Sequence, residues 1–306
     1  ASAYDSFIAG VPITVPADPP GLIVADSVME FIDSHILRSS DDALGYYIAV
    51  SSPTQNWTGA TVELSTDGGA NWIDSDGTEA NAIMGTLSAG IPAHAEEYPD
   101  MSSVLRVTLL RADMELISAT QAEMQNRANL AIIGDELINF SGVNQITATT
   151  WELTGLLRGR KGSAAVAHTA GERFVLLDRN QLSFIEAELF ELGRSLTFRA
   201  ISYGLTTGAN KTVTFTGVSQ KERAPAYLSA PKISTNLIVS WQGVGRLGGG
   251  TSVGMGKYFT GYRVTLNGTT WDTTAQTLTI PYAAGTLSVQ QNNSITGLGP
   301  AATVTV

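Results

Sequence analysis

The feature that most constrains the fold is the alternation of short β-branched or aromatic runs with clusters of turn-forming residues. Such runs are typical of strands, because branched and aromatic side chains pack well on a pleated sheet. Between them lie turn sequences such as Asp67-Gly68-Gly69 and Asn267-Gly268, and the second predicts a two-residue hairpin. Strands are predicted at residues 45–50, 60–65, 104–110, 130–133, 136–140, 173–177, 196–201, 212–216, 237–241, 262–266, 277–280 and 287–291. We therefore expect a mainly β chain of several antiparallel domains, built as small barrels or sandwiches.

Helical patterns are scarce by comparison. Residues 118–127 combine a Ser or Thr cap with good helix formers and predict one helix. Residues 26–37 hold no clean period, so we expect extended chain with a short turn there. Residues 74–77 read Asp-Ser-Asp-Gly, but Gly85 occupies the position where a calcium loop has its bidentate Glu. A hairpin turn is the better interpretation of that segment.

The charges divide the 306 residues into three zones. Residues 1–117 hold 17 acidic and 3 basic side chains, residues 118–223 hold 10 and 11, and residues 224–306 hold 1 and 4, for a net charge of −10. Nucleic-acid binders usually carry a strong basic excess, so the balance argues against a dedicated nucleic-acid surface. We expect three domains: an acidic β-rich domain at 1–117, a second β-rich domain at 118–223 and a sandwich at 224–306.

Several site classes are excluded by what the sequence lacks. Cysteine is absent, so the sequence has neither a disulfide framework nor a thiolate metal site. Its three histidines, at 35, 94 and 168, lack a metal-ligand spacing, and no catalytic elbow or phosphate-loop motif occurs. No apolar run reaches 18 residues, so no membrane span is expected. The chain begins at Ala1 without Met, which suggests a piece of something longer.

The last zone has the length and strand pattern of one small β-sandwich. The strand LIVSW ending at Trp241, the strand GYRVTLNG containing Tyr262, and the closing stretch VQQNNSITGLGPAATVTV resemble a fibronectin type III domain. We expect both aromatic residues in its core. A Gly-rich loop at 245–256 departs from the family's usual short loop, and Tyr258 and Phe259 after it are candidate receptor contacts.

The most distinctive stretch lies in the middle zone. It contains IIGDELINF, LTGLLRGRKGS and HTAGERFVLL, three glycine-punctuated segments that predict antiparallel strands joined by tight turns. Arg158, Arg160 and Lys161 surround Gly159 in the second segment. Acidic side chains close in sequence (Asp135, Glu136, Glu152 and Glu172) offer buried or half-buried partners that would fix the strand register. A structural role is favoured over phosphate contact, because interleaved aromatics and a wider basic field are lacking.

These three segments, in this order and spacing, resemble the C-terminal portion of siphophage tail-tip hub proteins of the host-specificity type. The three segments also resemble the large hub protein of gene transfer agents. Looser similarity extends over residues 20–230, with the sandwich appended. Lys161 and Ser163 stand where the family more commonly has Arg and Thr, and the large N-terminal parts of such hubs are missing from this chain.

The resemblance implies a structural role in a virion: the distal hub of a tail tip or baseplate, acting in host attachment and DNA delivery. It implies a homotrimer that contacts the distal tail protein, fibre or receptor-binding proteins and a host receptor. It implies neither enzyme activity nor a catalytic, cofactor or metal site. The residues expected to form the structural motif are Gly134, Glu136, Arg158, Gly159, Arg160, Gly162, His168 and Gly171.

Two other interpretations remain open. The chain could itself read a cell-surface carbohydrate, with exposed aromatic side chains stacking on sugars. It could also be an envelope-degrading glycosidase, although no pair of carboxylates stands out among its many acids.

Overall fold

A computed structural model describes residues 25–94, 98–246 and 254–306 of the protein. The expected mainly β fold is confirmed, with several antiparallel sheets and one closed barrel. All twelve predicted strand segments fall on strands. Within the described part of the chain, no helix has the length and apolar character that crossing a bilayer requires.

The first part of the chain, up to the last zone, contains thirteen described strands and one short α-helix. The strands are β1 (Val28–Ile32), β2 (Gly45–Ser51), β3 (Ala60–Ser65), β4 (Ile73–Thr78), β5 (Met84–Leu87), β6 (Leu105–Leu109), β7 (Leu130–Ile133), β8 (Glu136–Gln145), β9 (Thr150–Leu157), β10 (Arg173–Leu176), β11 (Leu182–Glu186), β12 (Ser195–Ser202) and β13 (Asn210–Thr214), and the helix is α1 (Gln121–Gln125). Single 3₁₀ turns lie at Ser39–Asp41, Arg160–Gly162, Leu189–Glu191 and Val218–Gln220.

Six of these strands close into a barrel with the order β10-β5-β6-β9-β8-β7, and every pairing is antiparallel. Its interior is filled by alternate residues of the strands, among them Val107, Phe140, Leu153 and Phe174. Closure leaves no sheet edge open, so the barrel ends become the places where polar groups gather.

Two further sheets, β1-β2-β11 and β13-β12-β3-β4, pack against each other. Strand β2 is buried along its whole length. Tyr46 and Ile48 face the second sheet, whereas Tyr47 and Ala49 face the outside of the barrel. Burial on both faces explains why this strand reads as a continuous apolar run rather than an alternating one.

The domain boundary expected at residue 117 does not separate the barrel from the two packed sheets. β5 and β6 precede it and the other four barrel strands follow it, and the sheet β13-β12-β3-β4 also combines strands from both zones. Charge composition reflects what each strand exposes, not which strand it pairs with, so the acidic excess carries no information about the topology.

The last zone is a sandwich of two antiparallel sheets that starts after residue 223. Its strands are β14 (Ala226–Ser229), β15 (Lys232–Ile233), β16 (Asn236–Gln242), β17 (Phe259–Leu266), β18 (Thr269–Thr273), β19 (Thr277–Pro281), β20 (Thr286–Asn293) and β21 (Gly297–Thr305). One sheet joins β14, β15 and β19 to β16, and the other has the order β18-β17-β20-β21. Trp241 and Tyr262 lie in the core between them, so the expected two-sheet antiparallel sandwich with both aromatic residues in its core is confirmed.

Local predictions succeed where turn chemistry is strong. Asn267 and Gly268 connect β17 to β18 with φ angles of 50° and 82°, as a two-residue hairpin of this type requires. The predicted helix is real but shorter: Thr120 caps α1 with a reciprocal capping box to Glu123, and Arg127 with φ 75° ends the helical path.

One local prediction is wrong. Residues 74–77 form part of β4 and not a hairpin turn. β4 is the outer strand of its sheet, next to β3, and an edge strand tolerates the Asp and Gly residues that suggest a turn. Part of the predicted Gly-rich loop, residues 247–253, lies outside the described residues.

Candidate functional site

The ends of four barrel strands bring the central motif residues together. β7 ends and β8 begins around a tight turn that contains Gly134, while β9 ends just before Arg158 and β10 begins at Arg173. Gly134 has φ 53°, and a side chain there would place its Cβ 2.9 Å from the Glu172 carboxylate. The hairpin pairing of β8 with β9 then sets Glu136 beside Arg158.

Glu136 and Arg158 form a bidentate ion pair at the centre of this end. Arg158 Nε donates to Glu136 Oε1 at 2.6 Å and Nη2 donates to Oε2 at 2.8 Å, and both side chains are fully buried. The same carboxylate also accepts from the backbone N–H groups of Gly159 and Val166, each at 3.0 Å. Such a forked pair fixes both the distance and the plane of the two groups.

His168 extends the pair to a second carboxylate. Its Nε2 lies 2.9 Å from Glu136 Oε2 and its Nδ1 lies 2.7 Å from Glu172 Oε2. Burial alone would lower the pKa of His168, but the hydrogen bonds and charges of Glu136 and Glu172 outweigh it and raise that pKa. Burial favours the neutral acid of Glu136, but hydrogen bonds from Arg158 and His168 outweigh it and hold its pKa well below the ordinary value.

Asp100 approaches the network from the segment between β5 and β6. Its Oδ2 lies 3.7 Å from Arg158 Nη1, and its Oδ1 accepts from the backbone N–H groups of Ser102 and Ser103. The backbone of Asp100 also pairs with Leu156 of β9. These contacts fasten a long connection onto the barrel end.

We call the set Glu136, Arg158, His168, Glu172 and Asp100 the barrel-end network. Five donors converge on the Glu136 carboxylate, so its oxygens are fully engaged. A general acid or base must exchange its proton with a substrate, and these donors occupy the positions that a substrate would need. The geometry is therefore that of a structural clasp, which locks β8, the end of β9 and two connections in one register. Within the described residues, no group of three or more His, Cys, Asp or Glu side chains is arranged so that it could hold a metal ion.

The other predicted motif residues lie apart from the network centre. Gly162 and Gly171 adopt φ 85° and 88° in turns. Arg160 points away from the clasp and donates to Asn139 Oδ1 at 2.9 Å. Lys161, with φ 58°, donates to the carbonyl of Ile36. The other acids take different partners: Glu152 pairs with Arg106, and Asp135 with Arg173.

The two candidate receptor aromatics are half-buried. Phe259 packs edge-on against Tyr262, with ring centroids 5.1 Å apart, and contacts the sandwich core. The Tyr258 ring lies 5.0 Å from the ammonium of Lys257. Phe259 therefore offers little free ring face.

Sequence reasoning missed two contributors to the site. Asp100 carries a local signal, since Asp followed by two serines favours a turn closed by the carboxylate. Arg173 links the barrel to the first sheet through the carbonyls of Gly134 and Phe31, which are 39 and 142 residues away in sequence. Nothing local in the sequence predicts that second contact.

Residues 82–175 match the family model described as Rcc01698-like, C-terminal. This family is associated with gene transfer agent-like proteins. The match begins two residues before β5 and ends within β10, so it spans the barrel almost strand for strand. It therefore contains every residue of the barrel-end network.

Comparisons with whole proteins add little. No curated protein matches the chain. Among solved structures, the crystal structure of chicken CNTN1 FN1-FN3 domains covers 92% of this chain and 98% of its own, at 10% identity and a TM-score of 0.22. A TM-score that low carries no information about the arrangement of the domains.

Proposed function

We propose that this chain is the distal part of the central hub of a phage or phage-like tail tip, where it acts in host attachment and in assembly of the DNA-delivery machinery. The observation that carries the proposal is the family match, because it coincides with one closed folding unit and includes its buried clasp. A match to a complete barrel favours a shared architectural role over a shared loop or isolated motif.

The barrel-end network is well suited to a particle that must withstand mechanical force. The buried guanidinium of Arg158 joins the strand ends to the two connections by donating to the carbonyls of Pro92 and Val166, and Asp100 lies 3.7 Å from the same group. The Glu136–Arg158 pair holds this geometry, because separating the two side chains would leave a buried charge unpaired. We infer that this barrel serves as a rigid platform for neighbouring subunits.

Exposed apolar side chains support contact with other subunits. Tyr98 and Met101 are 72% and 78% exposed, and they flank Asp100 beside the clasp. Large apolar side chains gathered on one surface are typical of protein contacts. In the proposal, this surface meets the trimer partners or the adjoining tail protein, and the sandwich points towards the cell.

The proposal is tested by deleting the gene in the particle-producing strain that encodes it. We expect particles that lack a complete tail tip or fail to adsorb, with adsorption restored by the full-length chain supplied in trans. Complementation by a chain ending at residue 223 separates the two roles. Restored tails without adsorption would assign attachment to the sandwich. Normal adsorption and DNA transfer by the deletion strain would overturn the proposal.

A further inference from the structure

A pocket lined by cations lies on the side of the barrel. Arg127 follows α1, Arg160 and Lys161 sit in the turn after β9, and Arg223 lies just before the sandwich. Together with Gln125, Leu130 and Asn139 they line a pocket of about 200 Å³, and neither Asp nor Glu belongs to its walls. We call these four cations the cationic pocket.

The cationic pocket is unusual in a chain with 28 acidic and 18 basic residues. Arg106, Arg158 and Arg263, for example, each face a carboxylate at close range. Within the described residues, none of the four pocket cations forms a salt bridge. Four like charges held together without a counter-charge repel one another, so the arrangement favours binding of an anion.

The pocket cations also retain unused donors. Arg127 donates one hydrogen bond, to the carbonyl of Leu37 at 2.9 Å, and Arg160 donates one, to Asn139. The Nε of Arg223 is buried and has no hydrogen-bond partner in the described structure. Each guanidinium carries five N–H groups, and a buried donor without a partner is costly. An oxyanion in the pocket would supply the missing acceptors.

The pKa values of Lys161 and of the nearby His35 reflect the same uncompensated positive potential. Burial lowers the pKa of Lys161 to about 8, and the charges of Arg127, Arg223 and Arg160 add to this effect. The buried ring of His35 has its pKa lowered to about 4, through burial first and then through nearby cations that include Arg223 and Lys161. His35 is therefore neutral at physiological pH and adds no charge of its own.

We propose that the cationic pocket binds a phosphate group, as the free ion or as a phosphate monoester. A phosphate dianion offers two negative charges and several acceptor oxygens, which match three guanidinium groups and one ammonium better than a single carboxylate does. The proposal does not depend on the tail-tip function, since it follows from the pocket alone.

Isothermal titration calorimetry on the full chain tests the site with two probes, inorganic phosphate and glucose 1-phosphate. We expect one site per chain for either probe at low salt. Tighter binding of glucose 1-phosphate would assign the site to a phosphorylated saccharide, and equal or tighter binding of inorganic phosphate would assign it to the free ion. No binding of either probe beyond that of chloride would overturn the proposal.

Matched variants locate the binding. Arg223→Met removes the guanidinium whose buried Nε has no hydrogen-bond partner, and Arg127→Met removes an exposed guanidinium, whose loss should leave the fold intact. Each should weaken binding by about tenfold or more, since a hydrogen bond to a charged group contributes that much. Arg194→Met removes an exposed arginine outside the pocket and should leave the affinity unchanged. Equal losses in all three variants would show only nonspecific ionic attraction and would overturn the site.

Proton uptake gives an independent readout. With a pKa of about 8, Lys161 is about half deprotonated at pH 8, and a bound dianion would restore its proton. Titrations with glucose 1-phosphate at pH 8, in buffers of different ionisation enthalpy, should reveal uptake that disappears in Lys161→Met. Identical uptake in this variant would contradict the placement of the anion.

Discussion

Glu136→Gln is the perturbation that most directly probes the barrel-end network. In the wild-type protein, Glu136 Oε1 accepts from Arg158 and Gly159, and Oε2 accepts from Arg158, His168 and Val166. A glutamine offers one acceptor oxygen and one amide group that donates. Whichever way the amide lies, two or three donors would face N–H groups instead of an oxygen.

The expected loss follows from these contacts. Arg158 keeps its charge in a fully buried position, and only Asp100, at 3.7 Å, remains to offset it. Breaking a buried pair by removing one partner costs about 3–5 kcal/mol. This is a large part of the usual 5–15 kcal/mol of domain stability, so the variant barrel should unfold at much lower urea concentration.

The assay is urea unfolding at pH 7, with hydrogen exchange of β8 and β9 amides reporting on the barrel. Glu152→Gln is the matched control, because Glu152 pairs with Arg106, whose side chain is 56% exposed. That surface pair should contribute at most about 1 kcal/mol. The reasoning would be refuted if both variants lost the same small amount of stability.

The other predictions concern pH, turn geometry and the sandwich contact. Folding raises the pKa of His168, so the stabilisation that its protonated ring provides is complete below pH 6.5, its ordinary pKa, and declines as the pH rises through the folded-state pKa. The free energy of unfolding lost in His168→Gln, measured by urea unfolding, should therefore be larger at pH 6 than at pH 9. Gly268→Ala should lower the free energy of unfolding of the sandwich, measured by thermal unfolding, by about 1–2 kcal/mol, because Gly268 has a φ of 82°. Gly254→Ala is the control: its side chain also meets open space, but its φ is outside the left-handed region, so this substitution should not lower the stability. Arg246→Met should speed proteolysis of the segment between β13 and the sandwich, because buried Arg246 binds Asp42, which lies between β1 and β2, at 2.6 Å. An unchanged cleavage rate would argue against this contact as the tether.

The strand segments could be predicted because their chemistry is local. The GYYIAV run predicts β2, and Asn267-Gly268 predicts the hairpin that follows β17. Sheet membership could not be predicted in this way. β10 pairs with β5, although about 85 residues separate them, and composition carries no record of such pairings.

The site was predictable in part for the same reason. Glu136 and Arg158 lie on a hairpin, so their proximity follows from one local pairing. Arg160 and Lys161 were expected to find carboxylates as Arg158 does, but the left-handed backbone at Gly159 and Lys161 turns them to a different side of the barrel. Their assembly with Arg223 required contacts across more than 60 residues.

We propose that this chain forms part of a tail tip. The most direct test is immunogold electron microscopy of purified particles from the strain that encodes it, with an epitope tag after Val306. We expect gold at the distal end of the tail, in particles that still adsorb. Label on the capsid, along the tail tube or absent from intact particles would contradict it.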